Sequence, residues 1–221
     1  MILWNLKLLI NDPATFFTLI PLMIIALLPM LALHEVSHGW VASLLGDNTA
    51  KNMGRLSLNP ISHLDRTGTI MLLLVGFGWA KPVPINPYQL GMEPRKGMAI
   101  TGAAGPITNL LLAALFSIPF RLGWLHVPTD SSSVPLSDTP DLLFLYIVFI
   151  NVILAILNLI PVPPLDGYRV AVGLLPRKQA LSFAKAEKYA PQILMALVII
   201  VFITGILGEV AGFITNIFLG Q

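Results

Sequence analysis

A chain of 221 residues that is 56% hydrophobic and only 11% charged is not an ordinary soluble domain, in which about a quarter of the residues carry charge. Its mean hydropathy of +0.81, with apolar runs of about 20 residues recurring along it, identifies an integral membrane protein. The net charge of +2 comes from segments between those runs and reads as a topology signal rather than a nucleic-acid surface, and the absence of cysteine excludes disulfides and thiolate metal sites.

In chain order, residues 1–12 are too short to span and are expected at the membrane interface with Trp4 as an anchor. No cleavable signal peptide is expected, because the apolar start runs into Asn11-Asp12-Pro13 without a small-residue cleavage site. A first long helix is predicted over 15–45, kinked at Pro21 and Pro29 and ended by Gly46-Asp47-Asn48. Residues 46–96 form a loop. Within it, Arg55 to Leu58 alternates like a strand, and Gly68 to Trp79 is too short to span and suits a re-entrant element. The alternate prolines of Lys81-Pro82-Val83-Pro84-Ile85-Asn86-Pro87 favour an extended edge. A second spanning helix is predicted over 98–120, where Gly102 and Gly105 permit close backbone approach. A polar loop at 122–140 precedes a third over 141–160, which breaks at Pro161-Val162-Pro163-Pro164-Leu165-Asp166-Gly167. A basic segment then leads to a last helix over 193–218. The expectation is one membrane-embedded, all-α polytopic domain over 1–221. It has about four spanning helices and a re-entrant, partly β-like segment after the first.

Charge orients this arrangement. Residues 46–96 hold Lys51, Arg55, Arg66, Lys81, Arg95 and Lys96, and residues 169–188 hold Arg169, Arg177, Lys178, Lys185 and Lys188. Residues 122–140 hold no Lys or Arg, only Asp130 and Asp138. The positive-inside rule puts the two basic segments in the cytosol and 122–140 outside, provided that 67–79 does not cross.

The chemistry centres on His34-Glu35-Val36-Ser37-His38, which reads H-E-x-x-H at the end of an uncharged run. On a helix, positions i and i+4 share a face, so both imidazoles can bind one metal ion. Glu35, beside the first, can take a proton from water activated there. A catalytic zinc wants three protein ligands and an open position. Asp166 is the best third ligand, because a helix broken by proline at membrane depth lines a cavity or is buried in protein. Its other reading is an Asp capping the next helix. Glu209, the other acid at depth, reads as a snorkelling or helix-pairing residue. His63 is either a further polar group of the site or a loop residue.

Three separated segments resemble the site-2 protease family of intramembrane zinc metalloproteases, peptidase family M50. His34 to His38 looks like its H-E-x-x-H helix. Asn158-Leu159-Ile160-Pro161-Val162-Pro163-Pro164-Leu165-Asp166-Gly167 looks like its N-x-x-P-x-P-x-L-D-G, whose Asp is a zinc ligand. Gly105-Pro106-Ile107-Thr108-Asn109 resembles the intervening G-P-x-x-N. Gly46 to Ala50, Gly54 to Pro60 and Trp79 to Pro84 are similar to the small bacterial and archaeal branch without PDZ or CBS domains. The likeness spans about residues 15–175 and departs at Arg66, where that branch usually has proline.

The resemblance implies one Zn²⁺ per chain, held by His34, His38 and Asp166, with Glu35 as general base. It implies hydrolysis of peptide bonds in transmembrane segments of other membrane proteins. It also implies a multi-pass protein of a prokaryotic cell membrane, embedded in the lipid bilayer; the Lys and Arg count puts His34, His38 and Asp166 at the cytosolic ends of their helices. Asn109 and Asn158 either hydrogen-bond the unwound substrate or the oxyanion, or join packed helices. The rival classes are a metal-ion transporter, which has no use for Glu35 beside the first ligand, and a non-catalytic membrane scaffold, whose signature would be a substituted Glu35 or Asp166. No nucleic-acid partner is expected, and the sequence carries no signal for an oligomeric state.

Overall fold

The computed structural model describes residues 6–127 and 139–221; Trp4, Asp130 and Asp138, on which the interfacial anchor and part of the outer loop rest, lie outside them. A short helix, α1 (Leu6–Asn11), leads into the long α2 (Pro13–Leu44). The start of α2 carries a complete local signal. Pro13 occupies the first turn, where a missing N–H costs nothing, and Asp12 accepts a hydrogen bond from Thr15 N at 3.1 Å. The end is equally explicit: Gly46 takes φ +108°, and the amides of Gly46 and Asp47 bond back to Ser43 and Ala42.

After the one-turn α3 (Thr49–Asn52) comes α4 (Arg66–Val75), which starts where Asp65 accepts from Gly68 N at 2.8 Å and stops at Gly76 with φ +83°. Ten residues of helix reach about 15 Å, half of the bilayer's hydrocarbon thickness, so α4 does not cross by itself. The later helices are α5 (Pro94–Arg121), α6 (Thr139–Leu159), α7 (Asp166–Leu174), α8 (Arg177–Ala184), α9 (Ala190–Thr204) and α10 (Ile206–Leu219). Four segments are long and apolar enough to cross a membrane: Pro13–Leu44, Pro94–Arg121, Thr139–Leu159 and Arg177–Thr204.

α5 is the central element and packs against α2, α6, α7 and α10. Ala26, Leu27 and Met30 of α2 meet Ile147 and Ile150 of α6. Ala113 and Phe120 of α5 meet Val148 and Val152 of α6 and Ala211 and Leu219 of α10. The Arg121 guanidinium donates to the carbonyls of Phe218 and Ile217 at 2.5 and 2.6 Å, satisfying the free end of α10.

Two expectations need correction. The segment after the first helix is not β-like: the described residues contain no strand, only one antiparallel bridge between Leu64 and Ala80. The reason is that side chains take the polar groups a ladder would use. Lys81 O accepts from Arg55, Val83 N donates to Glu35, and Asn86 N donates to Asp47, while Pro82 and Pro84 have no N–H to offer. Burial pushes the Asp47 carboxyl up, but hydrogen bonds from Thr49 and Asn86 outweigh it and hold it below its ordinary value. The second correction concerns the helix expected over 193–218, which is two helices. Gly205, at φ +66°, donates to Val201 O and ends α9, and α10 starts afresh at Ile206. Glu209 lies exposed in the first turn of α10, where a negative charge suits the helix dipole.

Candidate metal centre

The H-E-x-x-H turn starts about three turns before the end of α2, facing α5. His34, His38 and Asp166 are 3%, 4% and 6% exposed. α2 supplies the two imidazoles one turn apart, and Asp166 is the first residue of α7, just past the proline break that follows α6. His34 Nε2 and His38 Nε2 each lie 3.1 Å from Asp166 Oδ2 and 3.2 Å from each other.

The hydrogen bonds behind the ligands decide what these three atoms are. His38 Nδ1 lies 2.6 Å from the Thr101 carbonyl, which only accepts, so Nδ1 carries the proton. His34 Nδ1 lies 2.5 Å from Asn109 Oδ1, and Asn109 Nδ2 donates to Asn151 Oδ1 at 2.7 Å. Asn151 Nδ2 in turn donates to the Ile147 carbonyl at 2.8 Å. In the neutral imidazoles both Nε2 atoms are then bare lone pairs, and they converge with a carboxylate oxygen on one buried point. Three acceptors at that separation repel one another unless a cation lies among them.

The spacing suits zinc. Tetrahedral bonds of about 2.0–2.1 Å set ligand atoms about 3.3 Å apart, close to the 3.1–3.2 Å edges seen here. The backbone leaves room for nothing larger than hydrogen on the α5 side. A Cβ on Gly105 would lie 2.5 Å from His38 Nε2 and 2.6 Å from His34 Nε2. Asp166 keeps its other oxygen, Oδ1, 3.6 Å from the Arg169 guanidinium.

Glu35 is half-buried and points toward the loop, where its Oε2 accepts from Val83 N at 3.2 Å. That contact depends on Gly39: a Cβ there would come within 2.9 Å of the Val83 side chain. A knot behind it fixes the loop. Arg55 donates to the carbonyls of Ser62 and Lys81 at 2.5 and 2.7 Å, and Lys81 N donates to His63 O. His63 is buried within this knot, its Nε2 donating to Ser57 O at 2.7 Å, which is the loop reading of that residue.

The two asparagines part company. Asn109 is fully buried between His34 and Asn151, so its carboxamide joins helices and backs a candidate ligand rather than facing an open cleft. Asn158 is half-buried; its Nδ2 donates to Leu154 O of its own helix, and its carbonyl oxygen has no partner among the described residues. Asn151 and Thr101 escaped the sequence reading, and Val83 and Arg169 entered it only as part of the extended stretch and as a topology charge. Asn151 alone carried a signal, as a lone amide within an apolar run.

Comparison with known proteins gives the family of the chain. The sequence model of peptidase family M50 matches residues 123–201, which include Asn158 and Asp166. The chain is 40% identical over 172 residues to YwhC of Bacillus subtilis, covering 78% of this chain and 77% of that protein. It is 27% identical over 190 residues to Rip2 of Mycolicibacterium smegmatis, covering 85% and 70%. It is 26% identical over 191 residues to Rip2 of Mycobacterium tuberculosis strain H37Rv, covering 84% and 70%. The names of all three describe zinc metalloproteases. No solved structure matches the chain.

Proposed function

The chain belongs to peptidase family M50 and is a zinc metalloprotease, and on that footing we propose that it cleaves transmembrane segments of other membrane proteins. The observation that carries this reading is the convergence of three buried acceptor atoms inside a bundle of membrane-length apolar helices. His34, His38 and Asp166 hold the zinc, and Glu35 is the base. Bound there, zinc would supply Lewis acidity for the scissile carbonyl and for the attacking water.

The chain's own groups do the rest. Asn109 and the Thr101 carbonyl keep both imidazoles in the tautomer that frees Nε2. Val83 N holds Glu35 Oε2, which leaves Oε1 to take the proton from attacking water and pass it to the leaving nitrogen. Among the described residues the Pro82 and Pro84 carbonyls accept no hydrogen bond, so an unwound substrate strand can donate to them. Asn158, with a free carbonyl oxygen, is a second acceptor for that strand.

A carbonyl inside a helix is already bonded to the amide four residues on, so the site needs a locally extended substrate. Substrates should carry Gly, Asn or Pro near the cut, since these weaken a helix by roughly 0.5–3 kcal/mol each. The test is cleavage of a panel of transmembrane segments by the purified protein in detergent. Segments with Gly or Asn are expected to be cut several times faster than all-Leu versions of equal membrane insertion. Equal rates would remove substrate unwinding as the selective step, and no cleavage of any segment would remove intramembrane proteolysis.

We further place residues 46–96 and 169–188 in the cytosol and 122–140 outside, in a cell membrane, on the asymmetry of Lys and Arg. A cysteine at Ser132 is expected to react with an impermeant thiol reagent from outside, and one at Gln179 is not. The opposite pattern inverts the topology.

A further inference from the structure

We infer that Asn151, on α6, is a positioning residue for the metal centre: it sets the orientation of the Asn109 carboxamide and, through it, the tautomer of His34. The inference rests on the ligand set proposed above. Asn109 touches His34 through an oxygen, but a carboxamide has two chemically opposite ends of nearly equal shape. Turned over, Asn109 would present N–H to His34 Nδ1. His34 would then accept at Nδ1 and carry its proton on Nε2, where the lone pair for the metal has to be.

Among the described residues the only other hydrogen-bond partner of the Asn109 carboxamide is Asn151, so the constraint on that flip comes from α6. Asn151 Nδ2 lies 2.8 Å from the Ile147 carbonyl, four residues back on the same helix. A backbone carbonyl cannot donate, so that end of Asn151 is the amide nitrogen, and the end facing Asn109 is the oxygen. An oxygen there requires Asn109 Nδ2 to point at it, at 2.7 Å, which turns Asn109 Oδ1 toward His34 at 2.5 Å. One main-chain carbonyl thus fixes the polarity of the whole relay. Asn109 and Asn151 are both fully buried, so no water competes at either link. The imidazole of His38 needs no such device, because its Nδ1 meets the Thr101 carbonyl directly.

The test is zinc affinity by chelator competition on full-length protein in detergent, with helicity and thermal unfolding followed in parallel. Asn151→Leu and Asn109→Ala are each expected to weaken zinc binding by ~10–100-fold, the usual effect of losing a group that orients a ligand. The double variant is expected to bind no more weakly than Asn109→Ala alone, because both act through one atom of His34. Asn109→Asp in the Asn151→Leu background is expected to recover affinity, since a carboxylate accepts from His34 Nδ1–H at either oxygen and needs no orienting partner. Additive losses, or no recovery with Asp at 109, would overturn the relay in favour of simple packing. Should Asn151→Leu not fold, Asn151→Ser carries the same comparison. His38→Ala separates the two levels of argument. If it binds zinc as the wild type does, the ligand set falls and the relay with it. If it loses zinc while folded Asn151→Leu does not, only the relay falls.

Discussion

Glu35→Gln is expected to lower cleavage by ~10²–10⁴-fold or more while leaving one zinc per chain in place, the loss expected when a general base is removed. The variant suits this structure because Gln is nearly isosteric and its amide oxygen still accepts from Val83 N, as Glu35 Oε2 does at 3.2 Å. The loop from Lys81 to Pro87 therefore stays docked on α2, and what disappears is the oxygen that can take a proton. Glu35 makes no hydrogen bond to any of the three converging acceptors, so metal content should not follow activity. Metal analysis and cleavage are measured on the same preparation, with His38→Ala combined with Asp166→Ala as the metal-free reference. Cleavage near the wild-type rate would remove Glu35 as the base. Loss of zinc with the activity would instead make it a ligand or an organiser of the ligands.

The contrast between Glu35 and Asn151 shows what was legible in the sequence. His34 and His38 are related by helix geometry alone, so their shared face follows from spacing. Asp166 was legible because a proline-broken helix at membrane depth demands a reason. The membrane spans followed from apolar length, and Gly46 marked the end of the first of them. Asn151 acts through a contact 42 residues away in sequence, which no local pattern encodes. The same holds for the extended stretch after Trp79. Its alternating prolines and apolar residues suggested a strand edge, but Arg55, Glu35 and Asp47 take three of its polar groups, and that competition exists only in three dimensions. Gly205 was a different kind of miss. Within an apolar run a glycine reads as a packing residue, and only its φ of +66° shows it ending a helix.

Gly105→Ala is expected to empty the metal centre without disturbing membrane insertion. The added Cβ would sit 2.5 Å from His34 Cε1 and His38 Nε2 and 2.6 Å from His34 Nε2. Ordinary contact between such atoms is about 3.5 Å, so something must give by about 1 Å. The colliding atoms are the imidazoles themselves. Their Nδ1 atoms are tied to Asn109 and Thr101 on the same helix that carries Gly105, so neither ring can swing away without breaking its tautomer-setting bond. The alternative is for α5 to retreat from α2, which carries Asn109 and Thr101 with it. Either way the 3.1–3.2 Å triangle opens by more than the ~0.2 Å that zinc coordination tolerates. Gly102→Ala should be milder, since its Cβ would meet Arg169 Cβ at 3.1 Å and the Asp166 carbonyl at 3.3 Å, contacts that small shifts relieve. Gly212→Ala is the control, because nothing lies within 4 Å and alanine favours the helix by roughly 0.5–1 kcal/mol. Zinc content is therefore expected to fall in the order Gly212→Ala, Gly102→Ala, Gly105→Ala, the first near the wild-type value and the last near zero, with equal yields from the membrane fraction. A Gly105→Ala protein that kept stoichiometric zinc and cut its substrate would show that the helices are free to separate at this point, and the close-packed metal centre would have to be abandoned.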